Sequence, residues 1–232
     1  MKRVVSVVAL FAASSAPLAA QSTSPVNFSA LTPRTDSFVV MVKGNALGFQ
    51  RTSIERTEGG FRVTDDVQIP PIMTQHTEVE LAPDGGLRST KQTGQVRGQS
   101  TSIDITFHDG RAKGSATTPS IAGLITTSID TTVVSGAIDD NLITALLPAL
   151  DWSATASFTL PVFLSGKGYV QPLTLSVRAT EKLTVPAGTF EVYRVEISGG
   201  QAPVAMFLTT DAQHRLVKVA PQGAPLEFVL AK

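Results

Sequence analysis

The sequence predicts a mostly β protein: an antiparallel meander forming a curved sheet or partly closed barrel, with one short helix near residues 140–150. Three observations lead there. Apolar and polar residues alternate with period two through much of the chain after Asp36, turn-forming strings separate those runs, and a single stretch carries an apolar stripe at helical spacing. Successive strand side chains point to opposite faces, so period two marks sheets with one covered face.

The N-terminus comes before that pattern. Lys2 and Arg3 form a basic start, Val4 to Ala13 is apolar except for Ser6, and small residues follow at Ala19 and Ala20. This is the layout of a secretory signal peptide over residues 1–20, with cleavage after Ala20 or, alternatively, Ser22. The apolar run falls short of the roughly 20 residues a membrane-spanning helix needs, and no later segment supplies them. Removing 20 residues, Lys2 and Arg3 among them, would leave 212 residues of net charge −2. The expected protein is exported, periplasmic or secreted, with no transmembrane segment. Residues 21–33 are expected to be a flexible lead into a single β-rich domain over 34–232.

Within that domain the halves 34–138 and 139–232 differ in detail. Phe61, Val63, Val67 and Ile69 alternate with polar neighbours, as do Val79 and Leu81, and Ile103, Ile105 and Phe107. Lys43-Gly44-Asn45, Glu58-Gly59-Gly60, Pro83-Asp84-Gly85-Gly86, Asp109-Gly110 and Ser198-Gly199-Gly200 supply the hairpin turns. Between Arg88 and Gly136 the chain is rich in Thr, Ser and Gly, yet it retains enough Ile, Leu and Phe for two or three strands around a loop at Thr117–Ser120. Asp139 and Asp140 then precede Leu142, Ile143, Leu146, Leu147 and Leu150, a capped amphipathic helix of about ten residues. Pro148 limits it, Asp151-Trp152 opens the next strand, and its apolar face must cover a sheet or a barrel mouth. Leu173, Leu175 and Val177 resume the alternation.

Composition excludes several functions. The chain has 19 basic and 19 acidic residues with no basic stripe, which argues against nucleic-acid binding. No Cys means no disulfide, thiolate metal site or cysteine nucleophile. His76, His108 and His214 lie apart, without ligand spacing, and read as solvated surface; no metal or cofactor is expected. No Gly-x-Ser-x-Gly elbow occurs, and Gly94-x-x-x-Gly98 lacks the Lys-Ser/Thr of a phosphate loop. Asp65 and Asp66 face opposite sides of a strand, and Asp139-Asp140 is explained by capping. No catalytic residue is assigned.

The string Val185-Pro186-Ala187-Gly188-Thr189-Phe190-Glu191-Val192-Tyr193-Arg194-Val195 reads as strand, tight turn, strand. It resembles the hallmark of an exported bacterial family of unknown function, DUF3108. The strand Pro172–Glu181, then Val204–Leu208, the turn at Asp211–His214, Leu216–Val219 and Leu226–Leu230 are similar to the same family, so the resemblance covers roughly residues 139–232. It implies an antiparallel, partly closed barrel outside the cytoplasm, and offers no catalytic residue to carry over. More distantly the plan is similar to periplasmic lipoprotein carriers, whose curved sheet holds acyl chains under a helical lid, which is analogy of fold alone.

The resulting expectation is a non-enzymatic exported protein whose half-barrel binds a lipid or another apolar small molecule. The interior residues expected to form that site are Leu142, Leu146, Leu147, Phe158, Leu160, Leu173, Leu175, Val177, Phe190 and Met206. Plain core packing is the competing reading of all ten. The alternative functions are a cell-envelope structural module that pairs with another envelope protein through a strand edge, and a hydrolase assembled from residues distant in sequence.

Overall fold

The computed structural model describes residues 25–200 and 202–231. The expected signal peptide and its cleavage site lie outside the described residues. Fifteen strands form one sheet: β1 (Arg34–Val42), β2 (Asn45–Thr57), β3 (Gly60–Ile69), β4 (Met73–Leu81), β5 (Leu87–Val96), β6 (Gln99–His108), β7 (Arg111–Ser120), β8 (Gly123–Thr132), β9 (Ile138–Asp139), β10 (Ser157–Leu164), β11 (Tyr169–Val185), β12 (Gly188–Ser198), β13 (Val204–Thr209), β14 (Leu216–Pro221) and β15 (Leu226–Leu230). The order across the sheet is β8-β7-β6-β5-β4-β3-β2-β1-β15-β14-β13-β12-β11-β10-β9. Strands consecutive in sequence are thus paired in the sheet except β8 and β9, which form its two edges, and the final strand returns to pair with the first, Phe38 opposite Leu230 and Val42 opposite Leu226.

Antiparallel pairing has one exception. β9 lies parallel to β10, Ile138 opposite Val162 and Asp139 opposite Phe163. A parallel pair needs a crossover of a dozen or more residues, and residues 140–156 provide it. Their helical part is three consecutive turns: a 3-10 turn at Asp140–Leu142, the α-turn α1 (Ile143–Leu146) and a 3-10 turn at Leu147–Ala149. Asp139 caps the start, accepting from the Asn141 N–H at 2.9 Å. The Trp152 indole N–H closes the other end on the Leu147 carbonyl at 2.7 Å, so β10 begins only at Ser157 rather than at Asp151-Trp152.

Leu142, Ala145, Leu146, Leu147, Ala149 and Leu150 are all buried, and the segment touches β2, β4 and β10. It lies against the sheet, as its apolar stripe requires; each such leucine removed from water contributes about 2 kcal/mol. Arg34 on β1 ties it down, donating to the Ala145 carbonyl at 2.6 Å while Asp36 holds Arg34 and Arg215 at 3.0 Å each.

Part of the lead expected to be flexible is instead packed. Val26, Phe28 and Leu31 are buried, and the Asn27 N–H donates to the Ala149 carbonyl at 2.8 Å. Three apolar side chains in six residues outweigh the polar composition around them. The loop expected at Thr117–Ser120 is strand as well; the turn falls at Ile121-Ala122.

The sheet is curled. β5 and β9 stand eleven intervals apart in the strand order, about 50 Å if flat at about 4.8 Å per interval, yet the Thr90 hydroxyl on β5 donates to Asp139 on β9 at 2.7 Å. The two edge strands, β8 and β9, are not joined by a ladder, so the sheet does not close into a barrel. Side chains seal the overlap instead. Phe163 on β10 packs among Ile103, Ile105, Ala112, Ala116 and Ile129 from β6 to β8, and meets the Phe107 ring edge-on with centroids 5.2 Å apart. Ala112 and Ala116 are small enough to admit it. Gly114 between them is required by its own ladder: a Cβ there would stand 1.9 Å from the Asp104 carbonyl oxygen of β6.

Candidate functional site

At one end of the rolled sheet three connections converge: the β4–β5 turn, the β6–β7 turn and the β8–β9 link. Each is shaped locally by its sequence. In the first, Asp84 accepts from the Gly86 N–H at 3.0 Å and Gly85 adopts φ +86°, where the Phe28 ring covers it. In the second, Asp109 and Gly110 both take positive φ, the arrangement a two-residue hairpin favours. The third is drawn in by the Val133 N–H, which donates to the Gly110 carbonyl at 2.7 Å.

Together with Phe28 these connections line an open cavity of about 840 Å³. Phe28, Leu87, Phe107, Val133, Ala137 and Ile138 give it an apolar floor, and Asp84, His108, Asp109 and Arg111 a polar rim. The rim points outward. His108 Nδ1 lies 2.8 Å from Asp109 Oδ2 with both side chains nearly fully in solvent. Arg111 pairs with Asp130, and that hydrogen bond holds the Asp130 carboxyl below its usual range.

Beside the floor lies a buried polar network. Asp139, which follows Ile138, is completely buried, and its carboxylate accepts from Thr90, from the Asn141 N–H and from Asn141 Nδ2 at 2.7 Å. Asp140 accepts from the Ser165 hydroxyl at 2.8 Å and N–H at 3.1 Å. Burial, with the neighbouring Asp140 charge second, pushes the Asp139 carboxyl up to about 7. The capping role of this aspartate pair is visible in the sequence. Thr90, 49 positions away, is not.

The ten residues expected to line a ligand site do come together. Leu142, Leu146, Leu147, Leu160, Leu173, Leu175 and Met206 belong to the largest buried cluster, and Phe158, Val177 and Phe190 pack against it. None of them lines the cavity, which draws on turns that sequence reading treated only as punctuation. Of the histidines, His76 pairs with Asp66 at 2.6 Å on the surface, and His214 is half-buried beside Tyr193. Asp65 faces away from Asp66 and accepts from Thr52 at 2.6 Å and Gln50 at 2.8 Å. Among the described residues no group of three or more His, Asp or Glu is placed to hold a metal ion.

The Val185–Phe190 string forms the two-residue turn its composition suggests, with Val185 paired to Gly188 and Gly188 at φ +139°. The model of the protein family of unknown function DUF3108 matches residues 37–222. The chain belongs to this family. The DUF3108 match thus takes in the N-terminal strands as well as the residues from 139 onward that carry the resemblance. No curated protein matches the chain significantly. Among solved structures, a β-barrel-like protein of the DUF1849 family from Brucella abortus is similar at 13% identity over 87% of this chain and 97% of that one, with a TM-score of 0.49. A candidate lipoprotein from Parabacteroides distasonis shares 13% identity over 89% and 98%, with a TM-score of 0.27. A candidate exported protein with a YmcC-like fold from Bacteroides fragilis shares 10% over 85% and 93%, with a TM-score of 0.23. In this DUF3108 chain no helix among the described residues is long and apolar enough to cross a membrane.

Proposed function

We propose that the protein is an exported, non-enzymatic binding protein that takes a small apolar or amphipathic molecule into the cavity beside Phe28. The observation that carries this is the cavity: about 840 Å³ with an apolar floor and a polar rim, within the range of about 300–1,000 Å³ common for small-molecule sites. An apolar body would rest on Leu87, Phe107 and Ile138, with its polar end at the rim. Export is supported by the signal-peptide pattern of residues 1–20. The non-enzymatic part is supported by the exposure to water of His108 and Asp109, the acid–base pair on the rim.

The test uses the apolar fluorophore N-phenyl-1-naphthylamine and the substitution Ser135→Trp. Ser135 is an exposed residue on the cavity wall, so an indole there fills the space without entering the core. Saturable binding to the native chain, weakened about tenfold or more in the variant at unchanged melting temperature, is the expected result. Binding that Ser135→Trp leaves intact, or no binding together with an organic extract of the native protein free of any small molecule, removes the proposal.

A further inference from the structure

The opposite end of the sheet differs in its chemistry. An antiparallel meander places alternate turns at one end, and the β15–β1 pairing continues that alternation through the second half. The turns opposite the cavity are thus residues 43–44, 70–72, 97–98, 121–122, 165–168, 199–203 and 222–225. They contain three cations, Lys43, Arg97 and Lys167, and no carboxylate. All three are exposed, and none lies within ion-pair distance of a carboxylate among the described residues. Glu227, two residues beyond the last of these turns, is engaged by Lys218 at 2.7 Å. The turns of the cavity end hold the acids Glu58, Asp84, Asp109 and Asp211, and one fixed cation, Arg215, which is engaged by Asp36.

Exposed apolar side chains follow the same division. Among the described residues eight large ones are exposed, and only Val134 belongs to the cavity end. Leu47 and Phe49 stand near the start of β2 and Ile72 in the β3–β4 turn. The Ile72 carbonyl accepts from the Arg97 N–H at 2.8 Å, which sets an apolar and a cationic residue side by side. Ile121, fully exposed, tips the β7–β8 hairpin with Leu124 and Ile125. The β10–β11 turn packs beside that hairpin, Gly166 against Thr118 and Gly168 against Ile129. It brings Tyr169, whose ring lies 5.9 Å from Lys167 Nζ.

Protruding aliphatics, an interfacial tyrosine and unpaired cations without acids form a surface complementary to anionic lipid headgroups over an acyl layer. We propose that this end seats peripherally on an anionic bilayer, with Ile121, Leu124 and Ile125 entering the headgroup–acyl boundary and Lys43, Arg97 and Lys167 facing the phosphates. The cavity then opens away from the membrane. This inference does not depend on the cavity's being a binding site.

Co-sedimentation of the purified chain with vesicles tests it. At low salt the chain binds vesicles of equal phosphatidylglycerol and phosphatidylcholine, and binds phosphatidylcholine vesicles far more weakly. Combining Lys43→Gln, Arg97→Gln and Lys167→Gln lowers the partition coefficient on the order of a hundredfold, at about fivefold per charge. Ile121→Asp with Leu124→Asp lowers it about tenfold or more; both side chains are exposed, so melting stays unchanged. Ser135→Trp leaves vesicle binding as it was, which separates this result from the fate of the cavity. Failure to bind anionic vesicles, indifference to lipid charge, or a tip variant that binds like the native chain overturns the proposal. So does a native dimer that the tip variant dissolves without any vesicle binding, because the tip would then serve self-association.

Discussion

Replacing Asp139 by Asn should stabilise the protein at pH 8, by about 3 kcal/mol more than it does at pH 5. The carboxyl is raised from 3.8 to about 7 because it is wholly out of water, with the Asp140 charge as the second cause. In the interval between those values the unfolded chain releases its proton freely while the folded chain retains it. The folded state then binds more protons, so stability falls as pH rises and levels off above about 7. Two pH units of that interval lie between pH 5 and pH 7, and at 1.36 kcal/mol per unit the loss is about 3 kcal/mol. Asparagine preserves the geometry without the charge. Its Oδ1 can accept from Asn141, and its Nδ2 can donate to the Thr90 hydroxyl, which now accepts. Denaturant titration followed through Trp152 is the assay. It is the sole tryptophan, it is buried, and its indole closes the same helical segment. The native chain should lose about 3 kcal/mol from pH 5 to pH 8. Asp65 is raised by burial too and contributes in the same direction in both proteins, so the difference between the two curves isolates Asp139. If native and variant curves run parallel across that range, the carboxyl is ionised throughout, and the three hydrogen bonds it accepts outweigh its burial.

Two further substitutions test how the sheet is sealed. Phe163→Ala empties the overlap between β10 and strands β6–β8, where the ring is fully buried, and should cost about 4 kcal/mol in chemical denaturation; a cost below about 1 kcal/mol would mean the overlap is not a packed seam. Gly85→Ala places a Cβ about 2.2 Å from the Phe28 ring on a backbone at φ +86°, so it should lower stability by about 2 kcal/mol and speed proteolysis near Phe28. Cleavage at the native rate would show that the N-terminal segment is not held by that contact.

Much of the architecture is local and therefore written in the chain. Period-two runs give strands, two-residue turns such as Asp109-Gly110 and Pro186-Ala187 give hairpins, and hairpins in series can give only a meander. The Asp139 cap and the leucine stripe give the helical segment its place, because capping and helical spacing act over a few residues. What the sequence could not show is which faces meet once the meander rolls up. Whether Leu146 or Leu175 packs against other side chains or faces a hollow depends on how tightly fifteen strands curl, and that is the sum of many small twists. The same curl carries Thr90 to Asp139, sets Phe163 on the alanines of β7 and leaves the hollow among turns. It also puts Lys43, Arg97 and Lys167 at one end, since each belongs to a different hairpin and only the order of strands decides which turns share an end.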